Sequence, residues 1–115
     1  MKSFTLPYPP STNNLFRTDG RYRVKTREAI AYAKTAAAMA LAAGVRPLVG
    51  PVTVNIDVYR PRRSGDLDNR LKAVIDSLKG IAWADDEQVD VIIARRFEDK
   101  KNPRVEIAVA GTISD

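Results

Sequence analysis

The clearest periodicity lies mid-chain, where Val52, Val54, Ile56 and Val58 alternate with Thr53, Asn55, Asp57 and Tyr59. A repeat of two is the signature of a strand with one buried face. Similar short apolar runs mark a first strand over residues 3–8, stopped by Pro9-Pro10, and another over 89–97. A last strand spans 104–110, with Val105, Ile107 and Val109 inward. Two segments carry a helical period instead. Thr26 is a good N-cap, and the run REAIAYAKTAAAMALAA has high helix propensity before Gly44 and Pro47 end it. Leu67, Leu71, Val74, Ile75 and Leu78 recur at helical spacing up to Gly80. Between the first strand and the first helix the chain is polar and basic, STNNLFRTDGRYRVK, with Asp19-Gly20 as a hairpin signal.

The expected order is β, loop, α, β, α, β, β. This predicts an α+β fold in one small domain over residues 1–115: a mixed sheet with two main helices packed on it. In the first helix Ile30, Ala33, Ala37 and Leu41 share one face, and Tyr32, Ala36, Met39 and Ala40 lie across from them. A helix apolar on two sides is expected to be covered on two sides. Its small residues permit close packing against either the sheet or a second subunit. A dimer is expected to use the apolar faces of this helix or the sheet edge.

Charge narrows the partners. Lys+Arg is 19 against Asp+Glu 14, a net charge of +5, which favours a polyanion, nucleic acid before membrane. No stretch approaches a membrane span and no signal peptide is visible, so a cytoplasmic protein without membrane attachment is expected. There is no Cys and no His. That excludes disulfide scaffolds, zinc sites with S or N ligands, Cys nucleophiles and His bases. A hydrolase written in this alphabet uses carboxylates, Lys, Ser, Tyr and a hard cation.

The segment RPRRSGDLDNRLKAVIDSLKG, followed by IAWADDEQVD, offers such a set. Asp66 is expected at the N-cap of the second helix, Asp68 in its first turn, and Lys72 one turn further along the same stripe. Asp85 and Asp86 follow Trp83 just before the next strand. If that strand pairs with the earlier one, its acids are expected close to Asp66 and Asp68. Carboxylates around Mg²⁺ activate water for phosphodiester hydrolysis and stabilise charge on the leaving oxygen. A nearby Lys steadies developing charge, and Arg60, Arg62 and Arg63 would hold flanking phosphates. Taken singly, each feature also fits a plain role: a cap, a turn, an i,i+4 pair. The joint pattern favours a site, with Trp83 as core support for the turn.

The run GDLDNRLKAVIDSLKG-IAWADDEQV resembles the signature of the RusA family of Holliday-junction resolvases, and LPYPPSTNN is similar to that family's N-terminal segment. The resemblance implies a Mg²⁺-dependent endodeoxyribonuclease, with Mn²⁺ as a substitute, acting as a homodimer on four-way branched DNA in recombination and repair. Carried over by residue, the metal-binding acids are Asp66, Asp68 and Asp86, and the essential lysine is Lys72; the role of Asp85 stays open. A second phosphate-gripping edge is expected at Asn13, Asn14, Arg17, Arg21, Arg23 and Lys25, with Asn69 beside the acids. Tyr8, Phe16 and Tyr22 are either available for base stacking or packed down as ordinary loop aromatics. Two rival functions remain: a non-catalytic binder of branched DNA, or a metal nuclease for flaps. Convergence of Asp66, Asp68 and Asp86 to within about 5 Å of a common point would favour a metal nuclease; divergence would favour the binder.

Overall fold

A computed structural model describes residues 1–63 and 67–112. Four strands form the main sheet in the order β1-β6-β4-β5: β1 Lys2–Pro7, β4 Val52–Arg60, β5 Val89–Glu98 and β6 Arg104–Gly111. A separate hairpin pairs β2 Phe16–Asp19 with β3 Tyr22–Lys25, turning at Gly20, whose φ of 62° suits glycine. Helices α1 (Arg27–Ala42) and α2 (Asp68–Leu78) complete the predicted α+β architecture.

The alternation read from β4 becomes a strict burial pattern. Val52, Val54, Ile56 and Val58 are buried, as are Val105, Ile107 and Val109 of β6 and Phe4 and Leu6 of β1. Against this face pack Tyr32, Ala36 and Ala40 of α1 and Ala73, Val74 and Leu78 of α2. Thr26 caps α1 as its sequence requires, its side chain accepting from Ala29 N–H at 3.1 Å. Tyr32 hydroxyl donates to the Pro7 carbonyl at 2.9 Å, tying α1 to the end of β1, and burial pushes its phenol well above the ordinary value.

Among the described residues only one side of α1 is covered: Ile30 and Leu41 stay 51% and 48% exposed.

Strand direction decides where the acids go. β6 runs antiparallel to both β1 and β4, but β5 runs parallel to β4, with Val52 beside Val89 and Arg60 beside Glu98. Parallel neighbours need a crossover, and α2 supplies it, packing back across the sheet. It leaves the Arg60 end of β4 and returns the chain to the Val52 end, where Leu48 bridges to Trp83. Among the described residues no helix is long and apolar enough to cross a membrane.

Candidate active site and DNA-binding edge

Two acidic positions can be followed in the described residues, and they occupy opposite ends of the sheet. Asp68 opens α2 at the end where β4 finishes. It is exposed and makes no ion pair or hydrogen bond with another described residue. Asp86 starts the 3₁₀ turn Asp86–Gln88 directly before β5. The length of α2, 11 residues beginning with Asp68 itself, separates them by about 15 Å at 1.5 Å per residue. The expected convergence therefore does not form within one chain. The pairing of β5 with β4 is as predicted, but it is parallel, so the start of β5 lies beside the start of β4 and far from its end. Asp66 lies outside the described residues. The N-cap position expected for it falls on Leu67, which makes no side-chain cap hydrogen bond. Among the described residues no group of three or more acidic side chains forms a ready metal site.

The turn that carries Asp86 is built to hold it. Trp83 is fully buried, and its indole N–H donates to Asp86 Oδ1 at 2.8 Å. Asp85 is the cap: its Oδ1 accepts from Glu87 N–H at 3.0 Å. Gln88 closes a capping box, its Oε1 accepting from Asp85 N–H at 3.0 Å and Ala84 N–H at 2.9 Å. The amide of Gln88 then donates to the carbonyls of Leu48 and Gly50 at 2.8 and 2.9 Å. So W-x-D-D-x-Q is a support in which Trp83, Asp85 and Gln88 fix the backbone and Asp86 presents a carboxylate. The sequence alone leaves the role of Asp85 open, and the D-x-x-Q spacing before a strand is the signal that marks Gln88 as its capping partner.

At the other end, the N-terminal segment is stapled to α2. Thr12 hydroxyl donates to the Asn69 carbonyl at 3.1 Å, and Arg70 donates to the Pro9 carbonyl at 2.9 Å while lying over the Tyr8 ring. This places Asn13 and Asn14, both exposed, beside the start of α2. Arg62 and Arg63 are exposed after β4, and Arg63 lies 3.8 Å from Glu98. Arg60 is buried, 3.5 Å from Glu98, so it braces the strand end and does not face solvent as a phosphate ligand would. Nearby, hydrogen bonds from Arg104 and the Asn102 backbone hold the Asp99 carboxyl below its ordinary value.

Lys72 projects from α2 but leans away from Asp68, 3.2 Å from Asp76 one turn onward. The hairpin carries Arg17, Arg21, Arg23 and Lys25 outward. An open hollow lies at its base, lined by Thr12, Asn13, Phe16, Arg17, Thr18 and Arg23. Of the aromatics offered for stacking, Tyr22 is open at 74% exposure. Phe16 lies under Arg23, 4.3 Å from its ring centroid, and both Phe16 and Tyr8 pack on the core.

The chain thus combines a mixed sheet, a helix that opens at Asp68, a Trp-braced acidic turn and a basic edge. The family model for Endodeoxyribonuclease RusA matches residues 7–110, and the chain belongs to that family. Similar proteins are the crossover junction endodeoxyribonuclease RusA of Escherichia coli strain K12, 37% identical over 93% of this chain and 92% of the relative, and its counterpart in Shigella sonnei at 35% over the same shares. The crossover junction endodeoxyribonuclease of Enterobacteria phage 82 is 35% identical, covering 91% of this chain and 90% of its own.

Proposed function

We propose that this protein resolves four-way DNA junctions by paired nicks, as a Mg²⁺-dependent homodimer whose catalytic acids come together between two chains. The observation that carries this reading is the separation of Asp68 from Asp86 across the length of α2. Judged on one chain, that separation would favour a non-catalytic binder. Membership in an endodeoxyribonuclease family weighs against it. Two-fold pairing that runs the chains in opposite directions resolves the conflict, because each Asp68 end then meets an Asp86 end. It also yields two sites related as the two equivalent strands of a junction are related.

The donors suit a hard cation. Asp68 and Asp86 supply carboxylate oxygens, with Asp66 as the third expected ligand, and Mg²⁺ prefers oxygen. Asp68 is unengaged among described residues, and Trp83 occupies one oxygen of Asp86, orienting it as outer partners orient ligands. Bound there, Mg²⁺ (or Mn²⁺) would lower the pKa of water and neutralise phosphate charge.

The chain's own groups do the rest. Lys72, released from Asp76, donates to charge developing on the scissile phosphate. Arg62, Arg63, Asn13, Asn14 and Asn69 hold the backbone on either side. Arg17, Arg21, Arg23 and Lys25 grip an adjoining arm through its phosphates. Arg60 supports this edge from beneath.

A labelled synthetic four-way junction incubated with the protein and Mg²⁺ tests the reading. Paired nicks at symmetric positions are expected. Binding without cleavage under any divalent cation would leave the branched-DNA binder as the better account, and equal cutting of flaps would favour the broader nuclease.

A further inference from the structure

The hairpin of β2 and β3 stands apart from the main sheet. Its base is fixed. Leu15 is buried, Phe16 packs against the core, and Thr26 N–H donates to the Leu15 carbonyl at 3.0 Å. Beyond that base, all of residues 17–23 are exposed. Its four-residue strands reach about 13 Å at roughly 3.3 Å per residue. The register sorts the side chains onto two faces, since directly opposed residues share a face. Phe16, Thr18, Arg23 and Lys25 lie on one, with the Arg23 guanidinium 4.3 Å from the Phe16 ring centroid. Arg17, Asp19, Tyr22 and Val24 lie on the other, with Arg17 and Asp19 4.0 Å apart.

Tyr22 has no such partner. It stands opposite Asp19 in the last pair before the turn and is 74% exposed. Among the described residues it makes no hydrogen bond and no ring contact. Residues 17–25 carry four basic side chains and one acid. A hairpin that only gripped phosphates would need those charges and no aromatic ring at its tip. A ring with nothing to pack on in the free protein finds a matching surface in the face of a base. Inside a continuous duplex those faces are covered by neighbouring pairs. At a branch point the last pair of an arm presents one.

We propose that the hairpin enters the branch point as a wedge and that Tyr22 stacks on the terminal base pair of one arm. Tyr22 thereby sets the preference for junctions over continuous duplex. This rests on the junction-cleaving reading of the preceding section and supplies its selectivity determinant. Phe16 and Tyr8 cannot take this part, because Arg23 and Arg70 already lie over their rings. The hollow on the Phe16 side, about 340 Å³ and lined in part by Asn13, Thr18 and Arg23, offers hydrogen-bond groups and charge to the strand displaced there. Thr12, at the rim of the same hollow, donates to the Asn69 carbonyl at 3.1 Å. A strand parted at the tip is therefore led toward the start of α2, where Asp68 lies.

Full-length Tyr22→Ala tests the wedge, with Tyr22→Phe as the conservative variant and thermal melting as the folding control. The substrates are two synthetic four-way junctions, one fully paired and one with unpaired bases around the branch point. Tyr22→Ala should cut the paired junction roughly tenfold more slowly than wild type, the scale of one lost base–aromatic stack. It should cut the pre-opened junction at close to the wild-type rate, and Tyr22→Phe should match wild type on both. In Ca²⁺, 2-aminopurine placed at the branch point should brighten when wild type binds and stay dim with Tyr22→Ala. A Tyr22→Ala protein that brightens the probe and cuts the paired junction like wild type overturns the wedge while leaving junction cleavage standing. Equal slowing on both junctions also overturns it, since a lost phosphate contact would act on both alike. A wild-type protein that cuts neither junction removes the junction-cleaving reading and the wedge with it.

Discussion

The indole N–H of Trp83 donates to Oδ1 of Asp86 across 2.8 Å, from a ring that is fully buried. A core side chain thus sets the orientation of a carboxylate at the surface. Trp83→Phe keeps most of the ring volume and removes the donor. Cleavage is expected to fall roughly 10- to 100-fold, with a higher Mg²⁺ requirement, as is usual when an outer partner of a metal ligand is lost. Single-turnover cleavage across a Mg²⁺ titration checks this. An unchanged Mg²⁺ dependence would show that the hydrogen bond is structural only.

The two adjacent acids are expected to behave differently. Asp85 accepts from Glu87 N–H as a cap, and Asn caps about as well as Asp. Asp85→Asn should therefore cut near the wild-type rate, whereas Asp85→Ala should lose about 1 kcal/mol of stability. Asp86→Asn should abolish cleavage while junction affinity holds or rises, since less negative charge faces phosphate. Band-shift and cleavage assays on the three variants, with thermal melting, separate the roles.

Lys72 tests catalysis against pairing. Its contact with Asp76 joins partly exposed groups 3.2 Å apart, and such pairs contribute at most about 0.5 kcal/mol. Asp76→Asn should leave cleavage nearly unchanged. Lys72→Ala should slow it roughly 10²-fold with normal melting. Equal, small effects of both variants would reduce Lys72 to an ion-pair partner.

Much of this was legible in the sequence. Strict alternation in β4 and β6 and the Thr26 cap follow from local rules, because half-buried strands and helix starts leave short-range signatures. The position of Trp83 beneath the acidic turn was legible for the same reason. The direction of β5 was not. Its apolar run reads alike in parallel and antiparallel pairing, and only the crossover through α2 fixes it, placing Asp86 far from Asp68. Availability of side chains was also hidden. Arg23 over Phe16, Arg70 over Tyr8 and Asp76 beside Lys72 are choices among several neighbours at suitable spacing.

A pH dependence of stability follows from Asp99. Hydrogen bonds from Arg104 hold its carboxyl below the ordinary range in the folded chain. A depressed folded value stabilises above the unfolded pKa, and the contribution is lost as pH falls through the folded one. Asp99→Asn should melt lower than wild type near neutrality, and the gap should close in acid. A gap that widens in acid would reverse the assigned sign.

The role of the cation separates hydrolysis from binding. Mg²⁺ or Mn²⁺ should support cutting, and Ca²⁺ should support junction binding alone, because its looser geometry positions water poorly. Robust cleavage in excess EDTA would remove the carboxylate–metal mechanism.

Mixing two inactive variants tests the shared site most directly. Asp68→Asn and Asp86→Asn chains are each expected to be inactive as homodimers. When they are co-refolded and given a labelled four-way junction with Mg²⁺, the heterodimer holds one site with both changes and one with neither. Recovery of single-strand nicking at up to half the wild-type site count is expected. A mixture that forms heterodimers and binds the junction but stays inactive would mean that each chain completes its own site, contradicting assembly between chains.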